Sequence, residues 1–172
     1  MNPVIDPCAV PPGCLLARYS REVGGGYIDA FRIELPGEVS LQSFVAAFYS
    51  SRLIRLELFV LDLLFGKAWS GRMAQRLAAG EAETFSAWRV EARTSTELLM
   101  HETISGKTRS WLSVEPRPST TGLYFGSAVL PVGFKPDGSP RMSKLFAVLP
   151  FHRLYARLLL RSAAARLRVK NI

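Results

Sequence analysis

Two cysteines and two histidines are all that 172 residues offer toward metal or thiol chemistry. Cys8 and Cys14 stand in a proline-rich leader, and His101 and His152 lie far from them, so the paired spacing of a zinc site is missing. No metal and no cofactor is expected, and the two thiols are expected to stay reduced rather than form a disulfide. Long apolar runs are lacking as well. The greasiest stretch, Leu53 to Phe65, is broken by Arg55, Glu57 and Asp62, and it falls short of the ~20 residues that cross a bilayer. Residues 1 to 16 have neither the basic start nor the apolar centre of an export signal, which makes a cytoplasmic location the expectation. Gly24 to Gly26 precede a strand pattern and do not have the GxGxxG spacing of a phosphate cradle. No Gly-x-Ser-x-Gly elbow occurs, so that form of serine chemistry has no starting point.

Acidic residues are scarce in one place only. Residues 135 to 172 carry nine Lys or Arg against Asp137 alone, so the whole net charge of +8 resides there. The first 134 residues, with 13 basic and 13 acidic side chains, are neutral. Electrostatic attraction to an anionic surface is therefore a property of the C-terminal segment. An apolar fraction of 48% and a charged fraction of 21% are those of an ordinary globule, and the length suits one domain with a sizeable core.

Along the chain, Pro3, Pro7, Pro11 and Pro12 predict an arm over residues 1–24, because proline lacks the amide donor and fixes φ. A single domain, residues 25–172, follows. Tyr27 to Leu35 alternates, with Tyr27, Phe31, Ile33 and Leu35 on one face, and reads as a first strand. Ser40 is a good N-cap for a helix bearing Leu41, Phe44, Val45 and Phe48 at helical spacing. A second helix is predicted from Arg52 to Phe65, and a short one over Met73 to Ala79. From Thr84 the period changes to two. Strands are expected over Phe85–Ala92, Glu97–Ile104, Thr108–Glu115 and Gly122–Val132, with a hairpin through Ser105, Gly106 and Lys107. A loop follows over Gly133 to Pro140, and the rest is a helix from Ser143, kinked or restarted at Pro150. Its apolar stripe is Phe151, Leu154, Tyr155 and Leu158, and Leu154 and Leu158 are expected to face the sheet. Arg153, Arg157, Arg161 and Arg168 recur on another side, as either a solvated face or a contact for anionic lipid. Nucleic acid is not an expected partner.

The order of elements, together with Tyr27-Ile-Asp-Ala-Phe-Arg32, Glu97-Leu-Leu-Met-His-Glu102, Arg109-Ser-Trp-Leu-Ser-Val114 and Pro150-Phe-His-Arg-Leu-Tyr155, resembles the START and birch-pollen-allergen superfamily, the polyketide cyclase and lipid-transport group. The closer likeness is to a bacterial branch of unknown function. The resemblance implies an α+β helix-grip fold, a curved antiparallel sheet wrapped around a long C-terminal helix. It also implies a cavity between sheet and helix for a hydrophobic small molecule or lipid. The same superfamily contains cyclases and aromatases, which keeps an enzyme using that cavity open as an alternative, and no catalytic signature carries across.

The residues that the cavity would draw on are Asp29, Trp88, His101, Arg109, Trp111 and Tyr124. Trp88, Trp111 and Tyr124 are large aromatics on successive strands that a curved sheet could aim at an apolar ligand, with ordinary core packing as the plainer reading. His101 titrates near neutrality and is the candidate general base or polar anchor, with a structural histidine as the plainer reading. Arg109 or Tyr124 would then stabilise an enolate oxygen. Asp29 falls on the apolar face of the first strand, either as a ligand contact or as a strand-end group near solvent.

Overall fold

The computed structural model describes residues 4–19, 26–51, 53–54, 71–141 and 149–170. Nine strands and three helices are assigned there: β1 (Asp6–Cys8), β2 (Tyr27–Pro36), α1 (Leu41–Tyr49), α2 (Gly71–Ala79), β3 (Thr84–Phe85), β4 (Trp88–Arg93), β5 (Glu97–Glu102), β6 (Thr108–Pro116), β7 (Thr120–Val129), β8 (Gly133–Phe134), β9 (Pro140–Arg141) and α3 (Leu149–Lys170). Seven strands form one antiparallel sheet in the order β1-β2-β7-β6-β5-β4-β3. β8 and β9 pair separately as a hairpin within the segment read as a loop. The chain is thus α+β, with an open antiparallel sheet and a long C-terminal helix.

Local chemistry explains the boundaries. Gly37, at φ +79°, turns the chain out of β2. Ser40 then caps α1 by accepting the Ser43 amide at 3.2 Å. α3 is described from Leu149, with Pro150 as its second described residue. The predicted Arg52–Phe65 helix lies outside the described residues except at Leu53 and Ile54, which are helical. Residues 142–148, where the last helix was expected to begin, also lie outside them.

Both faces of the sheet are covered. On one, α1, α2 and α3 bury Phe44, Phe48, Leu77, Leu159 and Leu160 against Phe31, Ile33, Leu98, Leu112, Leu123 and Phe125. This is the helix face. On the other, the leader supplies β1 as an edge strand and a 3-10 turn, Leu15–Ala17, whose Leu16 packs on Trp111, Tyr124, Leu99 and Ala128. Gly126 makes this approach possible, because a Cβ there would stand 2.6 Å from Leu16 Cδ2 and 3.0 Å from the Trp111 ring.

The burial of α3 corrects the expected face at Phe151, Leu154 and Leu158, while Tyr155 of the same stripe packs on the core. Phe151, Leu154 and Leu158 are 74%, 57% and 41% exposed, and the buried side is Ala156, Leu159, Leu160, Ala163, Ala164 and Leu167. The alanines decide this, since small side chains let the helix axis lie close to the sheet while a Phe/Leu ridge would hold it away.

Candidate functional site

Between the sheet and the first half of α3 lies a cavity of about 520 Å³. Its apolar wall comprises Phe48, Tyr49 and Ile54 from the α1 side, Trp88 from β4, Phe125 from β7, and Tyr155 and Leu159 from α3. Thr108, Ser110, Ser127 and His152 supply a polar wall, and Ile104, 78% exposed, stands with Glu102 and Ser105 where the β5–β6 hairpin borders it. A space mostly lined by aromatic and aliphatic groups, with few polar atoms, is the usual form of a small-molecule site. A second cleft, of about 80 Å³ between α1 and the end of α3, has Glu38, Gln75 and Arg166 in its wall and is too small for more than a few waters.

The polar wall has a definite build. Asp29 of β2, Ser127 of β7 and Ser110 of β6 are direct cross-strand neighbours, so they form a row across the sheet on its helix face. The next row along is Phe31, Phe125, Leu112 and Leu98, all apolar. Above the row, His152 Nε2 lies 3.1 Å from Ser127 Oγ and ties α3 to β7. Behind Ser127, the Tyr27 hydroxyl donates to Asp29 Oδ2 at 2.6 Å, while Asp29 Oδ1 is buried without a hydrogen-bond partner among the described residues. Burial raises the Asp29 carboxyl above its ordinary value, against the opposing pull of Tyr27, His152, Arg153 and the Ser127 backbone. Burial, reinforced by the Asp29 carboxylate, raises the Tyr27 hydroxyl too.

Of the residues singled out from the sequence, Trp88 lines the cavity and Asp29 stands beside it. The other four are corrected: the side chains of His101, Arg109, Trp111 and Tyr124 lie on the face covered by the leader. Strand alternation explains each, because Met100, Ser110, Leu112 and Phe125 take the helix-facing positions. Arg109 borders the cavity from a strand position, yet its guanidinium donates to the Tyr19 hydroxyl at 2.9 Å and pairs with Glu91 at 2.7 Å. Glu91 also receives Arg18 and Tyr19, and the β-bulge between Val90 and Ala92 frees it to face that way. His101 Nδ1 lies 3.8 Å from the same carboxylate. Desolvation, then Arg109 and Arg89, hold the imidazole below its ordinary value, so the contact at neutral pH is between a neutral ring and a carboxylate. Trp111 donates its indole hydrogen to Glu97 at 2.7 Å, and Glu97 also accepts the Leu15 amide at 2.8 Å. The Tyr124 hydroxyl, bonded to Glu115, is pushed up to about 12 by burial and by that carboxylate. These residues fasten the leader and sheet together, and of the four Arg109 alone borders the cavity, at its strand position.

On α3, Arg153 and Arg161 are exposed, whereas Arg157 and Arg168 are half-buried and the Arg157 guanidinium lies 5.3 Å from the Phe31 ring centre. Cys8 and Cys14 are free thiols, and the described residues contain no cluster able to hold a metal ion. No described helix is long and apolar enough to cross a membrane. His152, Ser110 and Ser127 are functional candidates that composition and spacing did not single out; their one sequence signal is polarity at helix-facing strand positions, legible only once the register is known.

Compared with protein-family models, curated proteins and solved structures, the chain matches none.

Proposed function

We propose that this chain is a binding protein of the helix-grip type, holding an apolar small molecule or lipid between its sheet and C-terminal helix. The observation that carries the reading is the 520 Å³ cavity walled by Phe48, Tyr49, Trp88, Phe125, Tyr155 and Leu159. Each methylene buried there contributes about 0.8 kcal/mol, so eight to ten of them account for roughly micromolar binding without an ionic contact. The resemblance to the lipid-transport superfamily points the same way. A cyclase-like enzyme has less support, because the imidazole proposed as its base, His101, lies on the opposite face. Native mass spectrometry of protein purified from cells tests the reading. A bound small molecule is expected, together with a rise in Nile red fluorescence that the cavity-filling Leu159→Trp abolishes. Protein that is ligand-free and silent toward the dye overturns it.

A second reading, association with an anionic membrane, is favoured by the exposed Phe151, Leu154 and Leu158 on a helix whose six charged residues are all basic. Co-sedimentation with phosphatidylglycerol vesicles but not with phosphatidylcholine vesicles is expected. Equal binding to both removes the electrostatic part of it.

A further inference from the structure

A sheet row that places Asp29, Ser127 and Ser110 side by side under a helix is costly to bury, since each hydroxyl and carboxyl oxygen leaves water. Ser127 and Ser110 are 2% and 8% exposed, and both line the cavity. The next row along the same face, Phe31, Phe125, Leu112 and Leu98, is apolar. Tyr27 satisfies one oxygen of Asp29 and His152 meets Ser127, yet Asp29 Oδ1 has no partner among the described residues. Such a row is stable when a further hydrogen-bonding group completes it.

Resting on the cavity reading above, we infer that the Asp29–Ser127–Ser110 row with His152 seats the polar end of the ligand, and that this end is an uncharged oxygen, an alcohol hydroxyl or a carbonyl, rather than a carboxylate. The charges decide against an anion. Of the charged side chains in the cavity wall, Glu102 accepts the Ile104 and Ser105 amides and the Ser105 hydroxyl, and Arg109 turns its guanidinium to Glu91 and Tyr19 on the far side of the sheet. Two side chains act electrostatically on Asp29: His152, already engaged with Ser127, and Arg153, exposed on α3. A carboxylate in the cavity would thus meet Asp29 with no unengaged cation among the described wall residues. A hydroxyl suits the row better, because it donates to one oxygen and accepts from another, whichever way the Ser127–His152 pair is oriented.

Competition against Nile red tests this with three straight-chain probes: decan-1-ol, 1-bromodecane and decanoate. In Ser127→Ala the affinity for decan-1-ol is expected to fall about tenfold, while that for 1-bromodecane, which offers the row no oxygen, changes by less than about twofold. In Asp29→Asn decanoate is expected to gain at least about threefold and decan-1-ol to hold. Equal losses for decan-1-ol and 1-bromodecane reduce Ser127 to a packing residue and overturn the inference, as does decanoate outcompeting decan-1-ol in the unmodified protein. Ser110→Ala, one strand over, gives the same readout where Ser127→Ala does not fold. Failure of Nile red to bind the unmodified protein sinks the cavity reading itself, whereas dye binding without discrimination among the probes sinks only this inference.

Discussion

His152 on α3 and Ser127 on β7 meet through Nε2 and Oγ at 3.1 Å, a polar contact that ties the first half of the long helix to the centre of the sheet. Ala156, Leu159, Leu160 and their successors add apolar packing from one turn further on, so the contact helps fix where the helix end sits above the cavity. His152→Ala is expected to lower stability by about 1 kcal/mol, the usual net worth of a neutral hydrogen bond, and to increase amide exchange in the first two turns of α3. Unchanged exchange there would show that apolar packing alone positions the helix.

The two sides of α3 give opposite expectations. Leu160→Ala, in the core, should cost about 2–5 kcal/mol, and Leu154→Ala, 57% exposed, should stay within about 0.5 kcal/mol. Chemical denaturation of both variants checks the orientation of the helix directly. A large loss at Leu154 would restore the face expected from the sequence.

That face was misread for a physical reason. Phe151, Leu154 and Leu158 form the more hydrophobic stripe, and hydrophobicity outweighs Ala156, Ala163 and Ala164 in any count of apolar periodicity, although close helix packing selects the small residues. Elsewhere the chain was transparent. Ser40 with Leu41, Phe44 and Phe48 marked α1, and the Ser105–Lys107 turn marked the β5–β6 hairpin, because caps and turns are local signals. What alternation does not tell is which face holds the cavity, and here both faces are apolar because the leader covers one of them. The Asp29–Ser127–Ser110 row needed the pairing of three strands, which no short window contains.

Trp88 and His101 separate cavity from far face. Trp88→Ala is expected to weaken Nile red binding by about tenfold, and His101→Ala to leave it within about twofold. The dye titration that ranks these two variants in the reverse order would place the site on the leader side of the sheet.

Asp29 makes stability depend on acidity with a defined sign. Its folded value lies above the unfolded 3.8, so the folded state holds the proton more tightly, and this contribution is complete below about pH 3.8 and is lost as pH rises through the raised folded value. Asn carries no such loss and can still accept from Tyr27. The melting temperature of Asp29→Asn relative to the unmodified protein should therefore climb as pH goes from about 4 to 7. A difference that stays flat across that range would mean that the carboxyl titrates as it does in water.

Gly126 gives a steric test of the leader. Ala there must displace Leu16, or strain against the Asp29 carbonyl and the Trp111 ring at 3.0 Å, and a cost of about 1–3 kcal/mol with faster proteolysis of residues 4–19 is expected. Equal protease resistance would show that Leu16 simply moves aside.

The pairing of β2 with β7 joins Pro36 to Thr120 and Tyr27 to Val129, partners 84 to 102 positions apart, in the middle of the sheet. During synthesis β2 must therefore wait for this partner until residues 120–129 have left the ribosome. Such delayed closure makes for slow folding and for an early chain that depends on chaperones to stay unaggregated.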